Sequence, residues 1–292
     1  MLGKSKRILT ATVVFTFAVC FVTGCIISVK SSNDDRSYDV RIMSANLLAH
    51  YESWGGIPVD GRDEMFFELL DEYQPDVAGL QEICEDWRAS LDENLPVNYR
   101  FVQTDTNDDF VHMTAMIYNA EVVSLKDCGE IEFSKLDDKR TRRVVWAVFE
   151  TQDNLLFAVT STHFSFLKSD NYEKWADITD AQAVEMCRLS EDIKNKYNCP
   201  VFLTGDFNTS ESDGVNEERS VIYNKLCTYV TDAKYIALSV YDGDGYSAEK
   251  PCIDHIFIKG NATVQSFGII SDTKLKKMSD HYPIVADIEF KQ

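Results

Sequence analysis

Eight polar side chains that could bind a metal ion or move a proton stand where apolar runs of the sequence meet their loops. They are Asn46, Glu82, His163, Asp206, Asn208, Asp254, Asp280 and His281. Any one of them alone would have a structural explanation, since Asp206 could form a turn and Glu82 could cap a helix. Together they are hard to explain by solvation, because polar residues at strand ends commonly build the sites of α/β sheets. The pattern predicts that these side chains meet at one site.

Carboxylates, amides and imidazoles are residue types with which a site can hold a cation or move a proton. Mg²⁺ prefers oxygen ligands and keeps several waters, so one or two carboxylates suffice to hold it. An imidazole titrates near neutral pH and can act as a general acid or base. A sugar hydrolase with paired carboxylates is a weaker hypothesis, because it gives no reason for the asparagine and histidine positions.

The elements that must position these residues follow from the spacing of apolar side chains. We predict strands at 41–46, 76–81, 114–118, 144–149, 155–162, 201–205, 253–258, 263–270 and 284–290. Helices are predicted at 63–73, where Pro75 must end the helix, at a segment that includes 178–193, and at about 217–229. The strand at 201–205 is wholly apolar and is therefore expected to be buried on both faces. The mixture of buried strands and amphipathic helices indicates one layered α/β domain.

The motifs around the eight residues resemble those of the endonuclease/exonuclease/phosphatase superfamily, which has the deoxyribonuclease I-like fold. The motifs are "SAN" with Asn46, "LQE" with Glu82, "STH" with His163, "GDFN" with Asp206 and Asn208, "IDHIF" with Asp254, and "SDHYPI" with Asp280 and His281. "GDFN" and "SDHYP" are specific in combination. The resemblance implies an α/β fold of two β-sheets packed face to face with helices on the outer faces. It also implies a metal-dependent attack of water on a phosphoester.

The resemblance further implies a metal site made of oxygen ligands. Glu82 would be the principal ligand of Mg²⁺, with Mn²⁺ or Ca²⁺ as alternatives. Asn46 and Asp280 would contribute directly or through water. The metal would polarise a phosphoryl oxygen and offset the developing negative charge.

The remaining residues would carry the proton chemistry and hold the phosphate. By resemblance, His281 is the general base or orients the attacking water, and Asp254 is its carboxylate partner. Asp206 and Asn208 would position the nucleophile and stabilise the pentacoordinate phosphorane. His163 would contact the phosphate from the opposite side and could donate a proton.

Two further positions bear on the substrate. A basic residue is expected just before a strand, and "TRRVVW" offers Arg142 and Arg143. Because successive strand side chains point to opposite faces, only one should reach the site, and we predict Arg142 as the substrate-binding residue. Some nuclease branches of the family have a catalytic tyrosine in the middle of the chain. Tyr118 in "MIYN" is the candidate here, but an ordinary strand tyrosine is the favoured interpretation.

The first 25 residues are typical of an exported lipoprotein. Basic residues precede an apolar run at 8–22, which is shorter than the about 20 residues that span a bilayer. "VTGC" then resembles the bacterial lipobox, in which Cys25 becomes lipid-modified and N-terminal after cleavage. We predict a signal peptide at 1–24, a lipid-anchored tether at 25–37 and a catalytic domain at 38–292. An uncleaved signal anchor is the alternative, and both interpretations place the domain outside the cytoplasm, at the bacterial membrane or cell surface.

The net charge of the chain bears on which partners it can bind. The chain has 48 acidic and 29 basic residues, and the loss of three basic residues with a signal peptide changes its formal charge from −19 to −22. Such a field repels polyanions at long range unless a local basic patch or bound cations offset it.

Six cysteines follow Cys25; their disulfide state stays open, and their spacing suggests no zinc site.

The sequence therefore predicts an exported, Mg²⁺-dependent phosphoesterase, a phosphodiesterase by preference. Its substrate could be nucleic acid or another phosphodiester, while a phospholipid or a small phosphorylated metabolite is the alternative. A catalytically inactive lipoprotein that uses the same fold for binding is the competing class. We expect a monomer.

Overall fold

The computed structural model describes residues 36–50, 56–104, 114–135, 142–166, 172–212, 217–242 and 252–291. The predicted signal peptide, and the tether up to residue 35, lie outside the described residues. From Ser37 onward the chain forms one compact unit. None of the helices in the described ranges is both long and apolar enough to cross a membrane.

The first sheet contains both parallel and antiparallel strands. Within the described residues it has seven strands, in the spatial order β10 (Ser239–Asp242), β12 (Thr263–Ile269), β13 (Ile284–Glu289), β1 (Val40–Asn46), β2 (Val77–Gln81), β4 (Thr114–Asn119) and β3 (Tyr99–Phe101). The central strands β1 and β2 are parallel, so their carboxyl ends lie at the same edge. The last strand, β13, runs antiparallel to β1 and begins at that edge.

The second sheet is also mixed. Its six strands in the described part of the chain are, in spatial order, β5 (Val123–Glu132), β6 (Arg143–Thr151), β7 (Leu156–His163), β8 (Val201–Asp206), β11 (Asp254–Lys259) and β9 (Thr231–Asp232). β7 and β8 are parallel, and β11 runs antiparallel to β8. Every residue of β8 is buried, which confirms the prediction that this strand is covered on both faces.

Helices cover the outer faces of the two sheets. They are α1 (Arg62–Tyr73), α2 (Glu85–Asn94), α3 (Tyr172–Tyr197), α4 (Glu217–Cys227), the single turn α5 (Ala233–Ile236) and a 3₁₀ helix (Thr273–Lys277). Strand β6 shows how the layers form, because its side chains alternate between two cores. Val145 packs in the core that contains residues of the first sheet, while Val144 and Val148 pack with Met186 of α3 and Leu226 of α4. The predicted architecture of two sheets packed face to face with outer helices is confirmed.

The sheets approach each other closely beside the carboxyl end of β2. A Cβ atom added to Gly79 would lie 2.0 Å from Thr204 Oγ1 of β8 and 3.1 Å from Ser161 Cβ of β7. The Gln81 amide crosses the same interface and donates to Ser161 Oγ at 3.1 Å. Only a residue without a side chain fits at position 79, which allows polar groups of both sheets to meet at this end of the sandwich.

No disulfide bond joins the six cysteines that the structure describes, which are Cys84, Cys128, Cys187, Cys199, Cys227 and Cys252. Burial raises the pKa of Cys187 and of Cys199 to about 11, so these two thiols are protonated at neutral pH.

Candidate active site

The first sheet contributes Asn46 and Glu82 from neighbouring parallel strands. The register pairs Asn46 with Gln81, so Glu82 follows directly at the carboxyl end of β2. Asn46 Nδ2 donates to Glu82 Oε1 at 3.2 Å, and the Ala49 N–H donates to Glu82 Oε2 at 2.9 Å. Glu82 has a left-handed backbone with φ 60°. Non-glycine residues seldom adopt this conformation outside functional or tightly determined turns.

The second sheet contributes His163, Asp206 and Asp254 from three adjacent strands. His163 pairs with Asp206 across the parallel ladder of β7 and β8, and Asp254 pairs with Asp206 across the antiparallel ladder of β8 and β11. His163 Nε2 lies 3.4 Å from Asp206 Oδ2. All three side chains are buried, and Asp206 stands at the centre of the group.

The two halves of the site meet at Asp206. Asn46 Nδ2 reaches across from the first sheet and donates to Asp206 Oδ2 at 3.1 Å. His281, which precedes β13, places its Nε2 3.8 Å from the same oxygen. Its Nδ1 lies 2.8 Å from Asp254 Oδ2, so the imidazole bridges two carboxylates of the second sheet. Residues separated by more than 200 positions in the chain thus converge on one carboxylate.

Asn208 supports this carboxylate mainly through its backbone. Its N–H donates to Asp206 Oδ1 at 2.9 Å, and its side-chain Nδ2 donates to the Phe164 carbonyl at 2.9 Å. Asn208 also has a left-handed backbone, with φ 48°, a conformation that asparagine tolerates. The structure therefore ties the "GDFN" turn to the end of β7 and fixes the direction of the Asp206 side chain.

Asp280 and Arg142 lie at the edge of the site. Asp280 is exposed, and its negative charge helps to raise the pKa of His281. Arg142 is partly buried, and its positive charge lowers the pKa of His163, which places the guanidinium within electrostatic reach of that imidazole. Arg143 instead forms ion pairs with Glu130 and Glu132 on β5. The two arginines therefore have separate surroundings, as strand alternation requires.

The two imidazoles of the site have opposite protonation tendencies. Burial lowers the pKa of His281, but the adjacent Asp254 carboxylate, with smaller contributions from Asp206 and Asp280, raises it to about 10. Burial holds the pKa of His163 well below its usual range, and the positive charges of Arg142 and His281 act in the same direction. His281 is therefore an imidazolium near neutral pH, whereas His163 is a neutral imidazole.

Asp206 is the carboxylate with the most unusual environment. Burial and then the charge of Asp254 raise its pKa to about 7, and Glu82 adds to the increase. The positive charge of His281 and the Asn208 N–H oppose this increase. A carboxyl group with a pKa near neutral pH inside a polar cluster is a strong candidate for proton transfer.

The residues present fit a divalent cation on the Glu82 side of the site. Glu82, Asn46 and Asp280 are oxygen ligands of the kind that Mg²⁺ prefers. The charges of Glu82 and Asp254 both raise the pKa of Asp206, so negative charge accumulates here and a cation would offset it. Asp206, Asp254 and His281 also place potential ligand atoms within 4.8 Å of one another. We favour the Glu82 side, because Asp254 and His281 are already bonded to each other.

An arginine that the sequence motifs do not include organises one wall of the site. Arg62, at the start of α1, donates to the carbonyls of Leu47 and Met278 through Nη1, at 2.9 and 2.7 Å, and to the Leu48 carbonyl through Nη2 at 2.9 Å. It thereby joins the loop after Asn46 to the segment before His281. The helix dipole disfavours a cation at a helix N-terminus, so an arginine at the start of a helix is an unusual choice. That unusual position is the feature by which the sequence could have pointed to Arg62.

Ser279 performs a similar positioning role at shorter range. Its Oγ donates to the Asn46 carbonyl at 2.7 Å and accepts from the His281 N–H at 3.1 Å. The hydroxyl therefore sets the spacing between Asn46 and His281, which come from opposite ends of the chain. The serine stands inside the "SDHYPI" motif, although its type alone does not reveal this contact.

Tyr118 lies away from the cluster. The register of β2 and β4 pairs it with Val77, at the end of β2 opposite to Glu82. Its ring packs against Phe149, with 5.3 Å between the ring centroids. The structure agrees with the interpretation of Tyr118 as an ordinary strand tyrosine.

Carboxylates, imidazoles and an amide from two packed sheets converge at one edge of the sandwich. The chain belongs to the endonuclease/exonuclease/phosphatase family, whose model matches residues 44–281. It is also similar to exodeoxyribonuclease III of Haemophilus influenzae, with 23% identity over 256 residues that cover 76% of this chain and 92% of that protein.

Solved structures with the same fold include a protein described only by this family name and a phosphatase. An endonuclease/exonuclease/phosphatase family protein of Bacteroides thetaiotaomicron is 18% identical, with a TM-score of 0.70, over 86% of this chain and 98% of that chain. A mannosyl-6-phosphatase of the same organism is 19% identical, with a TM-score of 0.68, over 86% of this chain and all of that chain. These similarities establish the shared fold.

Proposed function

We propose that this chain is an exported, Mg²⁺-dependent phosphodiesterase that hydrolyses nucleic acid or another phosphodiester. The observation that carries the proposal is the convergence at Asp206 of Asn46 and His281 from one sheet with His163 and Asp254 from the other. Oxygen ligands, a carboxyl group with a pKa near neutral and two imidazoles in opposite states then surround one small volume. This is the set of groups that metal-assisted attack of water on phosphorus requires.

Asp206 is the residue best suited to take the proton from the attacking water. Its pKa of about 7 lies near the working pH, whereas the raised pKa of His281 leaves that imidazole already protonated. His281, held by Asp254 at 2.8 Å, would then supply positive charge and a hydrogen bond to the phosphate. This changes the expectation from sequence, in which His281 was the base or oriented the water.

His163 and Arg142 would contact the phosphate from the second sheet. His163 is neutral, so it would donate a hydrogen bond rather than an acidic proton. Arg142 would add positive charge on that side. When a divalent cation is bound by Glu82, with Asn46 and Asp280, it polarises a phosphoryl oxygen and offsets charge that develops there.

A phosphomonoesterase that acts on a small metabolite is a second candidate. The structural similarity to a mannosyl-6-phosphatase supports it, while the similarity to an exodeoxyribonuclease supports a phosphodiester substrate. A phospholipid substrate would also suit an enzyme at a membrane surface. An inactive binding module is the weakest alternative, because each expected catalytic position holds a residue able to do the chemistry.

We also propose that the enzyme is a lipoprotein on the outer side of a bacterial membrane. The supporting observation is the sequence of the first 25 residues, in which a basic start and an apolar run lead to Cys25. The catalytic domain would be joined to the lipid by the predicted tether at 25–37.

The activity can be tested with bis(4-nitrophenyl) phosphate, oligonucleotides, sphingomyelin and sugar phosphates, each with Mg²⁺ or with EDTA. We expect Glu82→Gln and Asp206→Asn to reduce kcat/KM on the preferred substrate by at least about 100-fold, since each removes a group that acts on the reacting atoms. Glu72→Gln is the matched control, because Glu72 is exposed at the far end of α1. Hydrolysis that is indifferent to EDTA and to both substitutions would refute the proposal.

A further inference from the structure

Three exposed lysines lie on the 3₁₀ helix that directly precedes the catalytic segment. They are Lys274, Lys276 and Lys277, which we call the lysine ridge. Three peptide units separate Lys277 from Asp280, so their Cα atoms are at most about 10 Å apart. The connection is rigid, because Arg62 binds the Met278 carbonyl at 2.7 Å and Ser279 binds the Asn46 carbonyl at 2.7 Å. The ridge therefore has a fixed position beside the site.

The ridge lysines lack the carboxylate partners that six other described lysines have. In the described part of the chain, many lysines form ion pairs: Lys126 with Glu150, Lys135 with Asp177, Lys194 and Lys259 with Glu191, Lys196 with Asp127, and Lys225 with Asp180. None of the three ridge ammonium groups forms such a pair with a described residue. The adjacent Asp272 accepts from the backbone of Lys274 at 2.9 Å. On a protein with a net charge of −19, this concentration of unneutralised cations at the site is unusual.

The geometry of the 3₁₀ helix places two of these three cations on the same side of it. Residues three apart lie on the same side of such a helix, with a rise of about 2 Å per residue, so Lys274 and Lys277 are about 6 Å apart along its axis. Lys276 has its ammonium 5.9 Å from the ring centroid of Tyr282, which follows His281. The ammonium of Lys276 therefore lies beside the segment that carries His281, and Lys274 and Lys277 lie on another side of the same helix. Hydrated ammonium groups suit phosphate groups as point charges and do not read a base.

We propose that the lysine ridge binds the phosphate groups next to the scissile one in a chain of repeating phosphodiesters. The proposal rests on the proposed function and specifies its substrate as a polymer rather than an isolated diester. It offers a local basic surface through which a strongly acidic protein can hold a polyanion. The shared ligand chemistry is a phosphodiester backbone, which nucleic acid and polyol-phosphate polymers both provide.

The test compares a polymer with a small diester. The triple variant Lys274→Gln, Lys276→Gln, Lys277→Gln is assayed on a single-stranded oligonucleotide and on bis(4-nitrophenyl) phosphate, and we expect the ratio of kcat/KM values to change at least about tenfold against the oligonucleotide. A plot of log kcat/KM for the oligonucleotide against log salt should also become less steep by about 2, because three contacts to a single strand are lost. RNA and poly(glycerol phosphate) as further substrates distinguish the sources of the backbone.

A matched control variant replaces three lysines near the end of the second sheet that lies opposite to His163. Lys126, Lys194 and Lys196 lie near the start of β5 and at the end of α3, and each is ion-paired. Their triple glutamine variant should leave the oligonucleotide salt slope unchanged. The ridge proposal is wrong if both triple variants act alike, or if the ridge variant affects polymer and small diester equally. If Glu82→Gln leaves hydrolysis of the small diester intact, the proposed function itself has failed.

Discussion

At the scale of single residues, the site is defined by what surrounds each titratable group. His163 Nε2 and His281 Nε2 lie 3.4 and 3.8 Å from the same Asp206 oxygen, yet their protonation states are opposite. Burial lowers the pKa of both rings, but the hydrogen-bonded Asp254 carboxylate raises the pKa of His281, whereas the charge of Arg142 lowers the pKa of His163 further. Groups whose environments move their pKa values apart are commonly those that divide acid and base roles.

The neighbouring histidine in "IDHIF" has a structural role. His255 Nδ1 lies 2.9 Å from Asp232 Oδ2, and its Nε2 donates to the Thr209 carbonyl at 2.9 Å. Burial lowers the pKa of His255, but the Asp232 carboxylate and the Thr209 carbonyl raise it above the ordinary value. The ring therefore links the turn after "GDFN" to β9 through these two contacts.

This interaction predicts a pH-dependent stability. Because the folded-state pKa of His255 is raised, its contribution is complete below about pH 6.5 and is lost as the pH rises through the raised pKa. Asp232→Asn should therefore cost more at about pH 6 than at about pH 9, with a loss of about 2 kcal/mol at the lower pH. Urea unfolding of both proteins at the two pH values measures this difference. Asp192→Asn, at an exposed position of α3, is the control and should cost little at either pH. An equal cost of Asp232→Asn at both pH values would contradict the assignment.

At the scale of elements, the strands that hold the site could be predicted because they are buried apolar runs. The prediction at 201–205 differs from β8 by one residue, and the prediction at 284–290 differs from β13 by one residue. β5 was missed because it is an edge strand with polar residues on both faces and a register shift between Leu125 and Asp127. Helix α2 was missed because it buries only Trp87 and Leu91, too few to give a clear period.

The parts of the site that could not be predicted depend on tertiary contacts. Asn46, Asp206 and His281 were found because their types stand at strand ends. Arg62 was not, because its partner carbonyl at Met278 is 216 residues away and any carbonyl can accept from an arginine. Gln81 was not, because its bond to Ser161 exists only once the sheets pack together. Sequence patterns therefore indicated the polar groups that converge at the candidate site but not the residues that hold them in place.

The close approach of the sheets at Gly79 gives a prediction for packing between elements. Gly79→Ala would place its Cβ 2.0 Å from Thr204 Oγ1, so β2 or β8 must move, at a cost of about 1 to 3 kcal/mol. Thr204→Ala in the same chain removes the conflicting atom and should recover part of the loss. Thr204→Val keeps an atom at that position and should not. The comparison is a double-mutant cycle measured by urea unfolding, and additive free energies for the alanine pair would show that the contact does not limit the sheet spacing.

At the scale of the whole molecule, the local charge beside the site is opposite in sign to the net charge of the chain. The lysine ridge concentrates cations at the site, while the remainder of the chain keeps the net charge strongly negative. Membrane surfaces that carry anionic lipids attract basic segments. A domain with this net charge would be repelled by them. The proposed attachment to a membrane would therefore rest on the predicted lipid at Cys25 rather than on electrostatic attraction.

This dependence predicts how the full chain behaves in a bacterial host. The protein should incorporate a labelled fatty acid and remain with membranes in high salt, because buried acyl chains, unlike ion pairs, are not screened. Cys25→Ser should abolish the label and release the protein from the membrane fraction if the signal peptide is still removed. Cys20→Ser, in the predicted signal peptide, is the matched control and should keep both properties. Label that persists after Cys25→Ser, or membrane attachment of the wild-type chain that salt disrupts, would show that the protein is held by some other means.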